Sequence, residues 1–389
     1  MPPKKLLRIT TVPISLHLLL RGQFRFMREQ GYDVYTMSAE GKEIQEVVKE
    51  GVPHIIVPFT RQITPIQDLV CLFKLISIIR KMKPHIVHTH TPKAGLLGMM
   101  AAWICGVPVR LHTVAGLPLM ESKGIKRAIL TAVERITYAC ANKVYANSKG
   151  LRRFIVDSLG ASKNKIHIIG EGSSNGIDSS FFSKTPDVEQ AAREIRNKHQ
   201  VKGDHFVFAF VGRIVNDKGI SELIEAFKEI RKQNLQKRFV LLLVGPFEQE
   251  LDPLRADDYT FLNDDPDIIL AGFQKDVRPW IAASNAFIFP SYREGFPNVV
   301  MQACCLEVPC VVSDINGCNE IVRDHKTGLI VPVKDWKKLY EAMNEIMTND
   351  ENRNRYGRLA RQHVVANFDQ QYVWSQLLSE YQQLAGSNQ

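Results

Sequence analysis

The stretch Ala286-Phe287-Ile288-Phe289-Pro290-Ser291-Tyr292-Arg293-Glu294-Gly295-Phe296-Pro297-Asn298-Val299-Val300-Met301-Gln302 decides how the chain is read. Its first four residues are continuously apolar, as in a strand buried on both faces, and the loop they deliver leads into a helix. Glu294 supplies an acceptor for hydroxyl groups, Gly295 lets a ligand approach the backbone, and Pro297 suits a first helical turn. The free N–H groups beyond it would face an anion. Gln302 lies eight residues after Glu294, about two helical turns along and close to the same face. Gly295, Phe296, Pro297, Asn298 and Gln302 are therefore candidates for lining a bound ligand.

The same alternation of strand and helix runs outward in both directions. Leu6 to Val12, Asp33 to Ser38, His54 to Val57, Ile86 to His88, Val109 to His112 and Lys143 to Ala146 read as short strands. Helical patterns fall between them at Leu18–Glu29, Ile44–Lys49, Ile66–Lys81 and Ser122–Ala141. A second series follows with Phe206–Val211, Phe239–Val244, Ile268–Leu270, Ala286–Phe289 and Val308–Val312. Continuous apolar strands separated by helices imply parallel sheets covered on both faces, and two series imply two doubly wound α/β domains. The expected boundaries are 1–183, a polar crossover at 184–204, a second domain at 205–365 and a final helix from 366 to 389. Ligands in such folds bind beyond the carboxyl ends of the strands.

At 389 residues the chain exceeds the size of a usual single core. An apolar content of 45% with 23% charged residues is that of an ordinary globular protein. The best apolar run, Leu96 to Val109, is too short to span a bilayer. Thr10, Thr11, Pro13, Ser15 and His17 interrupt what would be the apolar core of a leader, so the N-terminus reads as a first strand behind a basic tip. Seven cysteines without C-x-x-C or paired His/Cys spacing give neither a disulfide framework nor a zinc site. Charge is uneven. Residues 1–183 hold 25 Lys/Arg against 12 Asp/Glu, or +13, which leaves 50−25 against 41−12, or −4, for the rest. The first half therefore faces something anionic. Without a zinc finger, a helix-turn-helix pattern or aromatics interleaved with the cations, nucleic acid is the weakest such partner. Lys123, Lys126, Arg127, Arg135, Lys149, Arg152 and Arg153 alternate with Ile125, Ile129, Leu130, Phe154 and Ile155, a pattern suited to an anionic membrane face.

The loop after the first strand of the second series is Val211-Gly212-Arg213-Ile214-Val215-Asn216-Asp217-Lys218-Gly219. Gly212 removes side-chain bulk, and Arg213 and Lys218 can converge as the chain turns into a helix. Two cations there make a diphosphate clamp, Arg forking across two oxygens and Lys acting as a compact charge. The same pair would stabilise a departing diphosphate.

Taken together these features resemble the retaining glycosyltransferases of family 4. The resemblance runs through His88-Thr89-His90 and Asn175-Gly176-Ile177-Asp178, then Gly212-Arg213 with Lys218-Gly219 and Gly272 with Asp276-Val277. It continues through Glu294-Gly295-Phe296-Pro297, Asn316-Gly317 with Glu320, and Thr327-Gly328-Leu329-Ile330-Val331. It implies the GT-B fold, two Rossmann-like domains facing a central cleft, with a nucleotide sugar, usually a UDP-sugar, held by the second domain and much of the acceptor site by the first. It implies that Arg213 and Lys218 bind the diphosphate, that Glu294 meets the donor sugar, that position 302 holds the ribose, and that no metal or other cofactor is needed. His90, His112 and Gly22 complete the expected substrate-binding set. The implied acceptor is a lipid-diphosphate-linked glycan of a bacterial surface polysaccharide, and the implied location the inner face of the cytoplasmic membrane.

The chain departs from the family pattern at two positions. Where the family has a second glutamate this chain has Gln302, which keeps a carbonyl acceptor but loses the charge, at a cost of about 1 kcal/mol in ribose binding. Ala115 stands before Gly116 where the family commonly has a histidine; His112, three residues earlier on a strand end, does not simply replace it, and both a structural role and a site role stay open for His112. A lone carboxylate, Glu294, among the motifs does not fit a double-displacement pair. The resemblance implies same-face displacement instead, with the leaving phosphate taking the acceptor proton. A UDP-sugar epimerase of the same fold and a catalytically silent nucleotide-sugar-binding partner stay open. Ile166 to Gly176 also mimics a dinucleotide turn, but no helix is expected after it and the crossover motif explains its glycines better.

Overall fold

The computed structural model describes residues 3–120, 122–250 and 252–386. The chain divides into two compact units, Met1–Gly176 with Gln370–Gln389, and Ile177–Asp369. The first unit is built on a seven-stranded parallel sheet: β1 Lys5–Ile9, β2 Asp33–Ser38, β3 His54–Ile56, β4 Ile86–His90, β5 Val109–Val114, β6 Lys143–Ala146 and β7 Ile166–His167, in the order β3-β2-β1-β4-β5-β6-β7. The second has six: β8 Phe206–Val211, β9 Phe239–Val244, β10 Ile268–Gly272, β11 Ala286–Phe289, β12 Cys310–Ser313 and β13 Gly328–Val331, in the order β10-β9-β8-β11-β12-β13. Strand order reverses between β1 and β4 and between β8 and β11, as in two doubly wound α/β folds. Burial of β8, β9, β11 and β12 from both sides accounts for their unbroken apolar runs.

Three expectations change. The helix expected at Leu18–Glu29 is two helices, Pro13–Leu19 and Gln23–Glu29, broken at Gly22, whose φ of +82° is left-handed. A Cβ there would lie 2.6 Å from the Trp374 ring, so Gly22 also seats the final helix, Gln370–Gly386. The crossover at 184–204 is part of the second unit rather than a separate segment. It forms the helix Pro186–Lys198, capped by the Thr185 hydroxyl and tied by Arg196 to the Ala283 carbonyl at 2.9 Å. The division therefore falls at 176/177 and 369/370.

The final helix closes the first unit over a buried polar layer. Arg8 is fully buried on β1, and its Nη1 donates to the Tyr381 hydroxyl at 3.1 Å. Its Nη2 lies 2.9 Å from His90 Nε2. A guanidinium can only donate, so that nitrogen accepts and the His90 proton sits on Nδ1. His88 bridges Tyr381 at 2.6 Å and Thr113 at 2.7 Å. Burial, reinforced by the Arg8 charge, pushes both histidines well below their ordinary range, so they remain neutral. Tyr381→Phe removes the shared hydroxyl and should cost about 1–3 kcal/mol, read as a lowered denaturant midpoint.

Glu134 is buried in the helix Gly124–Cys140, and burial pushes its carboxyl up to about 7, against a smaller opposing effect of the Tyr138 hydroxyl. Its folded value lies above the unfolded one, so its contribution is complete at low pH and lost as pH rises through about 7. Glu134→Gln should flatten the fall in thermal midpoint between pH 5 and 7.

Candidate active site

The site lies at the strand-order reversal of the second sheet, where the loops after β8 and β11 diverge to opposite faces. Val211-Gly212-Arg213 leaves β8 alongside the loop after β9. Gly212 N–H donates to Val244 O at 2.9 Å and Ile214 N–H to Pro246 O at 2.9 Å. The chain then makes a single 3-10 turn, Asn216–Lys218, and reverses at Gly219, with φ +70°, into the helix Ile220–Gln233. A Cβ on Gly219 would collide with the Pro290 carbonyl, so glycine is what lets the turn lie against the end of β11. That approach brings Lys218 to Glu294: Nζ and Oε1 are 2.6 Å apart, with both side chains largely buried.

Around this pair the two loops are tied together. Arg293 donates from Nε at 2.9 Å and Nη2 at 2.7 Å to Asp217 Oδ2. Tyr292 N–H donates to the Asp217 carbonyl at 2.9 Å, and the Ser291 hydroxyl donates to Glu294 Oε1 at 3.2 Å. Tyr292 is held in turn by its hydroxyl on Glu222 at 2.7 Å. Sequence alone points to no role for Asp217, Ser291, Tyr292 or Arg293, although each lies within the two motif-bearing loops. Asp217 and Arg293 are 76 residues apart and Tyr292 is 70 from Glu222, while Ser291 reaches Glu294 three residues on, and spacing carries no such signal.

The remaining expected residues divide clearly. Arg213 lies in the same loop, half-exposed, with Nη1 on Glu248 Oε2 at 3.0 Å, so its charge faces outward rather than onto Lys218. Gly295 and Phe296 pack against Gly317, where a Cβ would lie 2.7 Å from the Phe296 Cα, and the Phe296 ring meets Phe368 at 5.2 Å. Pro297 is the cap and Asn298 the first residue of the helix Asn298–Cys305. Glu294 thus lies before the helix, and the expectation that it shares a helical face with Gln302 fails for that reason. Gln302 is nevertheless inside that helix, and its Oε1 is buried without a hydrogen-bond partner, an acceptor left open.

His90 and His112 belong to the first unit's interior. His90 is held by Arg8. His112 is 2.8 Å from Thr89 Oγ1, packs against Gly95, and is lowered to about 4 by burial. Neither offers a free ring nitrogen of ordinary basicity. Among the described residues no group of three or more His, Cys, Asp or Glu is placed to hold a metal ion.

A cation and a carboxylate at the same switch point, with an open amide acceptor one helix away, can bind a polyanion and hydroxyl groups side by side. Because Lys218 and Glu294 are each other's partner, their removal should be non-additive. A double-mutant cycle on Lys218→Ala and Glu294→Ala, read by denaturant unfolding, should give a coupling of about 0.5–3 kcal/mol.

Two family models match the chain: "Glycosyl transferase 4-like domain" over residues 20–172 and "Glycosyl transferases group 1" over residues 191–363. A Staphylococcus aureus protein named capsular polysaccharide biosynthesis glycosyltransferase CapM is 37% identical over 382 residues, 98% of this chain and 97% of that one. An Escherichia coli relative, UDP-Gal:alpha-D-GlcNAc-diphosphoundecaprenol alpha-1,3-galactosyltransferase, is 27% identical over 89% of this chain and 88% of its own length. Among solved structures, Anabaena Alr3699/HepE in complex with UDP and glucose superposes with a TM-score of 0.81 at 17% identity, covering 98% of this chain and all of that one. The chain therefore belongs to the family 4 glycosyltransferases and has their GT-B fold.

Proposed function

We propose that the enzyme moves a hexose or N-acetylhexosamine from a UDP-sugar to a hydroxyl of a lipid-diphosphate-linked oligosaccharide, with retention of anomeric configuration. The observation that carries this reading is the Lys218–Glu294 pair at the switch point of the second sheet. Donor binding exchanges that internal pairing for contacts with the ligand: Lys218 and Arg213 turn to the diphosphate, Glu294 to sugar hydroxyls, and the open Gln302 oxygen to the ribose. The bond from the anomeric carbon to the phosphate oxygen breaks as the acceptor oxygen bonds on the same face. The acceptor's proton passes to the departing phosphate oxygen. No metal enters this scheme, and the two cations meet the charge that develops on the leaving diphosphate. The names borne by the S. aureus and E. coli relatives support a lipid-linked acceptor in capsule or related surface-glycan synthesis.

Acceptor recognition is assigned to the basic first unit, at the inner face of the cytoplasmic membrane. The helix Gly124–Cys140 supports this, because Ile125, Ile129 and Ile136 are exposed among Lys123, Lys126 and Arg127. Each cation close to an anionic surface adds about 1 kcal/mol of attraction.

UDP and UDP-sugars should raise the thermal midpoint more than GDP- or dTDP-sugars in a shift screen. With the matching donor, Lys218→Ala and Arg213→Ala should each lower transfer about tenfold or more. Release of an isomerised sugar nucleotide without acceptor would identify an epimerase instead, and wild-type turnover in both variants would remove these cations from the site.

A further inference from the structure

The helix Pro65–Met82 of the first unit is apolar on two faces. Cys71, Leu72, Leu75, Ile76 and Ile79 point into the core, as a covering helix requires. On the other side Ile66, Leu69, Val70 and Phe73, spaced i, i+3, i+4, i+7, form a continuous stripe open to solvent. Ile66 is 84% and Phe73 62% exposed, and Ile63 before the helix extends the stripe. Nothing in the interior needs these side chains, and a contiguous exposed row of large apolar groups marks a surface that is covered in use.

Charge indicates what covers it. From Arg61 to Lys83 the exposed side chains include Arg61, Lys74, Lys81 and Lys83, whereas the segment's lone acid, Asp68, is engaged by Lys93 at 2.7 Å. A rim of cations without free carboxylates complements anionic headgroups. A second copy docked through the same patch would set these cations against a surface equally poor in acids. Trp103 adds an interfacial ring: it is 59% exposed at the end of the neighbouring helix Pro92–Ile104, and the thiol of nearby Cys105 reaches the Ile76 carbonyl at 3.6 Å. Among the described residues no helix is long and apolar enough to cross a membrane, so any engagement by helices is with the surface.

We infer that the Ile63–Phe73 stripe of helix Pro65–Met82 inserts among the headgroups of an anionic phospholipid bilayer, with its flanking lysines and arginines on the phosphates. The inference rests on the membrane reading above and names a surface that inserts, separate from the basic helix Gly124–Cys140. Apolar side chains enter the headgroup boundary while the cations hold the helix parallel to it.

The test uses the full chain and sedimentation with vesicles of phosphatidylglycerol and phosphatidylcholine, and of phosphatidylcholine alone. Wild type should bind the anionic vesicles, and Ile66→Glu/Phe73→Glu should bind them at least about tenfold more weakly with an unchanged thermal midpoint. Phe73→Trp serves as a second readout should that variant fold poorly: its emission should shift to the blue on anionic vesicles and be quenched by brominated lipid. If the stripe variant binds like wild type, or the new tryptophan stays in water, while Lys123→Glu/Lys126→Glu releases the protein, the stripe inference falls and the membrane reading stands. Failure of wild type to bind any vesicle overturns both. A stripe variant that turns a dimer into a monomer and leaves vesicle binding intact makes the stripe a self-association face and overturns the inference.

Discussion

The close approach of the Asn216–Lys218 turn to the end of β11 is the constraint on which the donor side of this enzyme depends. It requires a residue without a side chain at Gly219, because the Pro290 carbonyl occupies the space a Cβ would take. Given that approach, Lys218 and Glu294 meet although they are 76 residues apart, and Asp217 locks both loops through Arg293 and Tyr292. These two side chains are thus oriented by a frame of hydrogen bonds rather than by their own rotamer preferences. Such preorganisation reduces what must be ordered when a donor arrives.

The first unit spends its polar groups differently. Arg8, His88, His90 and Tyr381 hydrogen-bond in a chain beneath the final helix and present no basic ring nitrogen outward. A buried guanidinium whose side-chain partners here are a hydroxyl and a neutral imidazole makes that helix a specific lid, since other packings would leave Nη1 without the Tyr381 acceptor. What the unit offers outward is cationic and apolar surface, on the helices Gly124–Cys140 and Pro65–Met82. Transfer to a lipid-borne acceptor would draw on that division between a quiet interior and an adhesive exterior.

Much of this was legible from the chain alone. Runs such as Phe206–Val211 and Phe239–Val244 read as strands buried on both faces, and the motifs after β8 and β11 pointed to two loops that the structure brings together at the strand-order reversal. At Gly22 the left-handed break and the packing seat for Trp374 were not legible, because in sequence they look like any other glycine. The helix start at Asn298 rather than nearer Glu294 undid the shared-face argument for Gln302. His90 and His112 were ambiguous for a general reason: a histidine on a strand reveals its partners only when the neighbouring strands are in register.

In the proposed function Lys218 and Glu294 form the donor end of the site. A crystal structure of the full chain bound to an intact UDP-sugar tests it most directly. Diphosphate oxygens are expected within hydrogen-bond distance of Lys218 Nζ and the Arg213 guanidinium, with sugar hydroxyls on Glu294 and a ribose hydroxyl on Gln302. A nucleotide sugar bound elsewhere, with the Lys218–Glu294 pair still closed, would contradict it.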